Sequence, residues 1–230
     1  IPNVLGDSLN MIRNANWIKG FLERKGIKAQ LLSSGQSGSA PVVYGEVKTP
    51  GAKTTLAFYA HYDGQPVNPK QWAEGLEPFN PVLATDRLDR GGKIIPFPKD
   101  EPAKPSDRLY GRGSSDDKAG VFAIMAAYEA LYASGAKPTV NIKFFFEGEE
   151  EAGSIHLADI FMKYKDLIQA DQWVICDGPR HITGRKQIVF GVRGDVNVDI
   201  KVYGSKRPLH SGNYGNWAPN PAMRLVQLLA

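Results

Sequence analysis

Cysteine is all but missing: Cys176 is the only one in the chain. A single thiol excludes an internal disulfide framework and metal sites built from paired thiolates. It lies in an apolar, strand-like stretch, where a buried and inert thiol is expected. Long hydrophobic runs are missing too; none reaches the roughly 18 residues that a membrane span requires. Charge of one sign is nowhere concentrated. Lys and Arg total 28 against 24 Asp and Glu, a formal net charge of +4, and the basic residues are scattered. Neither nucleic acid nor a membrane is therefore an expected partner. Internal repeats, low-complexity tracts and a secretory apolar segment are also absent. The cytoplasm is the default compartment, and because the chain opens at Ile1 without Met, periplasmic export or secretion is left open. It closes inside an amphipathic helix, residues 220–230, that has no C-terminal cap or exit turn, and more sequence is expected after Ala230.

What is present is an alternation of apolar strands and amphipathic helices, the mark of the α/β class. Leu9 to Lys25 repeats apolar residues at helical spacing (Ile12, Ala15, Ile18, Leu22), and Gly26 suits the position after a helix. Strands are predicted at 29–32, 42–47, 54–60, 141–146 and 172–176, and helices at 118–134 and 156–168. Residues 68–104 are long, Pro-rich and without regular pattern, as functional loops tend to be. After Gly184 the style changes: 188–192 and 196–202 alternate as antiparallel strands do, and a helix starts at Asn220. Two domains are predicted, 1–187 and the beginning of a smaller α+β domain at 188–230.

The polar residues fall at telling places. Three predicted strands end in His61-Tyr62-Asp63, in the acidic run Glu147 to Glu151, and in Asp177. Residues just beyond the C-terminal ends of such strands are where α/β proteins place their sites. Asp116-Asp117 stands where a loop enters a helix; one acid suffices to cap it, and a second makes sense beside a cation. Each piece alone has an ordinary reading: a cap, a solvated acidic turn, a turn-forming Asp-Gly. His210 alone is as readily a packed residue as a functional one, and His156 and His181 read as surface residues. The joint occurrence points to metal. One imidazole with several carboxylates and no thiolate suits zinc, or manganese or cobalt in the same geometry. Asp63 could hold the other nitrogen of His61, and of Glu150 and Glu151 one could bind metal while the other serves as general base.

Tyr59 to Val67, Trp72, Pro78-Phe79, Leu109 to Lys118 and Glu147 to Ser154 together resemble the M20 family of di-zinc metallopeptidases, most closely its carnosinase-like and bacterial dipeptidase branch. The resemblance implies a zinc-exopeptidase-like catalytic domain, a central mixed sheet flanked by helices, followed by the start of a lid and dimerisation domain. It implies two zinc ions, with His61 and Asp177 on one, Glu151 on the other and Asp116 bridging them through a cis Asp116–Asp117 peptide. Asp63 would orient His61, and Glu150 would be the general base. His210 would stabilise the oxyanion, reaching into a partner's site in a homodimer. The implied reaction is hydrolysis of an amide in dipeptides or short peptides with a free carboxylate, by a water that bridges the two ions. Two alternatives stay open: an N-acyl amino acid deacylase of the acetylornithine or succinyl-diaminopimelate type, and an inactive fragment acting only in dimerisation. The family's last metal ligand, a histidine after the lid, is expected beyond residue 230.

Overall fold

The computed structural model describes residues 1–179 and 181–230, in two compact units, Ile1–Pro179 and Arg180–Ala230. The first unit opens with α1 (Ser8–Arg24), capped by Asp7, whose carboxylate accepts from the Asn10 N–H. β1 (Lys28–Leu32), β2 (Val42–Val47) and β3 (Thr55–His61) follow. Next come β4 (Val82–Ala84), β5 (Ile94–Ile95) and β6 (Arg108–Tyr110), then α2 (Lys118–Ala133) and β7 (Asn141–Glu147). The unit closes with α3 (Leu157–Lys163), α4 (Lys165–Ile168) and β8 (Gln172–Ile175). One sheet runs β1-β2-β7-β3-β8; β1, β2 and β7 are antiparallel, while β3 lies parallel to both β7 and β8.

The sheet is mixed and covered on both faces, and β7 shows why. Its successive side chains point to opposite faces. Phe144 and Phe146 pack with Met11, Ala15, Ile18 and Leu22 of α1 and with Val121, Ile124 and Met125 of α2. Phe145 points the other way, into a cluster with Leu32, Val42, Tyr44, Ile160 and Ile168. Three consecutive phenylalanines in one strand thus serve two helical layers at once. Gly45 lets α1 come close: a Cβ there would lie 3.0 Å from Leu22 and 3.3 Å from Ile27.

Residues 68–104 are less irregular than their sequence suggests. They contribute β4 and β5 to a three-stranded sheet ordered β5-β4-β6. Strands of two or three residues are too short to show a period-2 pattern, which is why the sequence hides them. The helix predicted over 156–168 is broken at Tyr164 into α3 and α4.

The second unit contains α5 (Ser211–Tyr214) and α6 (Pro221–Leu229), the latter capped by Asn220, which accepts from the Ala222 and Met223 N–H groups. The strands predicted at 188–192 and 196–202 are not formed. Phe190 is 98% exposed and Val192 96%. Alternation supplies an apolar face, and among the described residues Val196 and Val198 of it are also left largely exposed; two strands alone are marginal in water. Among the described residues no helix is long and apolar enough to cross a membrane.

Candidate metal centre

His61 ends β3 in parallel register with Glu147, the last residue of β7, and is wholly buried. Its Nδ1 lies 3.1 Å from Asp63 Oδ1. Its Nε2 faces three carboxylates: Asp116 Oδ1 at 3.0 Å, Glu150 Oε2 at 3.7 Å and Asp177 Oδ2 at 3.8 Å. Burial pulls the imidazole pKa down, but the Asp63 hydrogen bond and the charges of Asp63, Asp177 and Glu150 outweigh it and raise the pKa to about 9.

Asp63, equally buried, does more than orient the imidazole. It accepts from the Glu150 N–H at 3.2 Å and the Glu151 N–H at 3.0 Å, so one carboxylate fixes the histidine and the backbone carrying two other acids. The Asp116–Asp117 peptide is cis, and the two side chains divide. Asp116 turns to His61, whereas Asp117 is buried as the cap of α2, accepting from the Gly120 N–H at 3.1 Å and the His61 N–H at 3.2 Å. Burial pushes the Asp117 carboxyl up to about 6, against the opposing pull of the His61 N–H and charge.

The acidic run also divides. Glu150 and Glu151 stand half-exposed beside His61, with Glu151 accepting from the Gln65 side chain at 2.7 Å. Burial raises the Glu150 pKa, with His61 opposing and Asp177 reinforcing. Glu147 and Glu149 point inward, two residues whose structural use the sequence pattern did not single out. Glu147 accepts from the Tyr59 hydroxyl at 2.7 Å. Glu149 accepts from the Ala40 N–H at 2.7 Å and pairs with the His156 ring at 2.9 Å. His156 is therefore a partly buried partner of Glu149 rather than a surface residue. Gly148 between them leaves no room for a side chain beside the Tyr62 hydroxyl, which is directed at the Pro41 carbonyl. Cys176 is partly rather than fully buried; burial, reinforced by Asp117, raises its thiol pKa.

The donor set fits a divalent cation. Two groups bring one ligand atom per residue within 4.8 Å of one another: His61, Glu150 and Asp177, and His61, Asp116 and Glu151. Like charges about 4 Å apart repel by about 4 kcal/mol at the effective dielectric of a protein surface. One imidazole cannot offset this many carboxylates; a bound cation can. His61 has one nitrogen free for a metal, so both groups cannot use it at once, and the groups alone do not separate Glu150 as base from Glu150 as ligand. His210 lies in the second unit, where its ring accepts from the Gly212 N–H at 3.1 Å and caps α5. A separate, mainly apolar cavity of about 510 Å³, between Trp17 and Ile18 of α1, Phe122 of α2 and the loop at Gly111–Ser114, is lined by none of the donors.

Residues 57–218 match the profile of peptidase family M20/M25/M40. A Beta-Ala-His dipeptidase of Homo sapiens is 33% identical over 203 residues, 87% of this chain and 36% of the relative. The Cys-Gly metallodipeptidase DUG1 of Candida albicans is 31% identical over 192 residues, 83% of this chain and 36% of the relative. Among solved structures, the M20 family metallo-carboxypeptidase Sso-CP2 of Sulfolobus solfataricus superposes with a TM-score of 0.71 at 32% identity, over 100% of this chain and 46% of that one. The chain thus spans little more than a third of the length of these curated relatives. With the family profile extending over most of its residues, the chain belongs to peptidase family M20/M25/M40.

Proposed function

We propose that the protein is a metal-dependent hydrolase of the amide bond in dipeptides or short peptides that carry a free carboxylate. The observation that carries this reading is the single free nitrogen of His61 facing Asp116, Glu150 and Asp177, with Asp63 fixed behind it. Two curated relatives named as dipeptidases support the substrate size.

In this reading His61 and Asp177 would hold one zinc ion and Glu151 a second, with Asp116 as a further ligand. Bound divalent cations supply Lewis acidity, lowering the pKa of water and polarising a carbonyl. Asp63 accepts the Nδ1 proton of His61 and so leaves the Nε2 lone pair free to coordinate. Glu150 accepts a proton from the attacking water and returns it to the leaving amine nitrogen, so its carboxylate ends the turnover as it began. His210 donates a hydrogen bond to the carbonyl oxygen as that oxygen gains charge, supplied from the second unit of a homodimer partner.

Elemental analysis of the purified protein, run beside a panel of dipeptides and N-acyl amino acids, tests the reading. Bound zinc with cleavage of dipeptides is expected. Glu150→Gln should lower turnover by at least about 10²-fold while zinc content stays the same. Wild-type turnover in that variant overturns the role of Glu150. Cleavage of N-acyl amino acids alone overturns the substrate class, and absence of zinc overturns the reading itself.

A further inference from the structure

The first four residues are tied to α2, to α1 and to the loop that follows His61 and Asp63. The Ile1 carbonyl accepts from the Lys118 ammonium at 2.9 Å, one residue past the cap of α2. The Pro2 carbonyl accepts from the Asn14 amide of α1 at 2.7 Å. The Asn3 carbonyl accepts from the Gly64 N–H at 2.8 Å, and Val4 forms a parallel bridge with Gly64. Gly64 directly follows Asp63.

Asn3 itself is wholly buried. Its Nδ2 donates to the Tyr62 carbonyl at 3.0 Å, so side chain and backbone together grip the chain on both sides of Asp63. The other face of the same amide is set against the loop that carries Asp116. A Cβ on Gly113 would lie 2.6 Å from Asn3 Nδ2, and one on Gly64 would lie 2.8 Å from it. Gly113 has φ +73, a left-handed conformation that glycine adopts freely. Both glycines therefore make room for one amide. Asn3 Oδ1 has no hydrogen-bond partner, a desolvation cost that an apolar residue of similar size would not carry.

We propose that Asn3 is a positioning residue for the metal centre. It sets the separation between the strand end that presents His61 and Asp63 and the loop that presents Asp116. It touches no donor atom; it acts through the backbone at Tyr62 and Gly64 and through contact with Gly113. The inference rests on the metal-centre reading above.

The test is Zn²⁺ affinity of the purified protein, measured by competition with a chelating dye well below the melting temperature. Asn3→Ala should weaken Zn²⁺ binding about tenfold, the lower end of what partners of metal ligands contribute. Met11→Ala, which opens a cavity beneath α1, should lower the melting temperature and leave the affinity unchanged. Gly64→Ala crowds the amide from the opposite side and should weaken binding too, and the two effects should be non-additive in a double-mutant cycle, because Asn3→Ala removes the atom that the new methyl meets. A folded Asn3→Ala protein with wild-type affinity overturns the proposal. If Asn3→Ala does not fold, Gly64→Ala decides: weakened binding supports the proposal and unchanged binding overturns it. Loss of fold in both, unrestored by Zn²⁺, places Asn3 in ordinary core packing and overturns it as well. Wild-type protein that binds no Zn²⁺ removes the metal reading and this inference together, a result distinct from the others.

Discussion

Strand β7 and residues 188–202 carry comparable apolar content and meet different fates. In β7, three consecutive phenylalanines are at most 1% exposed, because α1 and α2 cover one face of the sheet and α3 and α4 the other. In 188–202 the alternation of apolar and polar residues is more regular, yet Phe190 and Val192 are almost fully exposed and no strand forms. Periodicity states which side chains share a face. It does not state what the face is buried against, and burial rather than pattern supplies the free energy. A strand between two covered neighbours is over-determined, whereas a lone alternating segment is not.

The largest expected effect follows from this contrast. Phe145 packs against Phe161 and Trp173 with ring centroids 5.6 and 5.4 Å away. Phe145→Ala should cost about 3–5 kcal/mol in unfolding free energy. Phe190→Ala should fall within about 0.5 kcal/mol of wild type. Urea unfolding followed by near-ultraviolet circular dichroism measures both. Equal losses from the two substitutions would mean that the 188–202 segment has a burying partner after all, and the comparison would break.

The same contrast explains what could be read from sequence. The main elements of the first unit were legible to within a residue or two, because α1, β2, β7 and α2 have both strong periodicity and a place to bury it. His61, Asp63, Asp116, Glu150, Glu151 and Asp177 were legible because they follow apolar strands or open a helix, and the structure brings all six together. That the members of each acidic pair divide their duties was legible, but the residue pattern did not say which member does which; only the family resemblance assigned them. Asp116 and Asp117 look alike in sequence; the cap geometry of α2 turns one inward. Glu149 looks like a third surface acid until the Ala40 N–H and His156 are seen to converge on it. Asn3 carries no sequence signal at all, since its partners lie about 60 and 110 residues away and are backbone atoms or glycines.

Acid–base behaviour should separate the two units next. The buried acidic, basic and tyrosine side chains described, His61, Asp63, Asp117, Lys143, Glu147, Glu149, Tyr44 and Tyr62, all belong to the first unit. The His61 pKa is raised from 6.5 to about 9 in the folded protein. The folded state therefore holds its proton more tightly than the unfolded state does. The resulting stabilisation is fully present below pH 6.5 and is lost as pH rises through 9. Metal binding needs the deprotonated ring, so it runs with the opposite sign. In EDTA the first unit should melt at progressively lower temperature between pH 6.5 and 8, above which Lys118, lowered by burial to about 8, begins to act with the opposite sign, and saturating Zn²⁺ should give its greatest protection at the upper end. The helical signal of α6 should not follow either trend. A pH-independent melt in EDTA across that window would show that His61 is not the group that titrates.

Helix caps give the smallest effect and the finest discrimination. Asp7 caps α1 and Asn220 caps α6 with equivalent side-chain hydrogen bonds to the first turn. Loss of either cap removes about 1 kcal/mol of local stabilisation. The consequences should differ because the helices are held differently. α1 has five buried residues, Met11, Asn14, Ala15, Ile18 and Leu22, so its helicity is tied to the core. α6 has none, and a helix of nine residues is marginal by itself. Asp7→Ala should therefore leave helical content intact and lower the melting temperature of the first unit by a few degrees. Asn220→Ala should reduce helical content at 25 °C with no shift in that melting transition. Far-ultraviolet circular dichroism with hydrogen exchange at residues 221–229 distinguishes the two. If Asn220→Ala instead shifts the melting of the first unit, α6 draws its stability from packing that unit, and the contrast between a buried and an unsupported region would have to be redrawn around it.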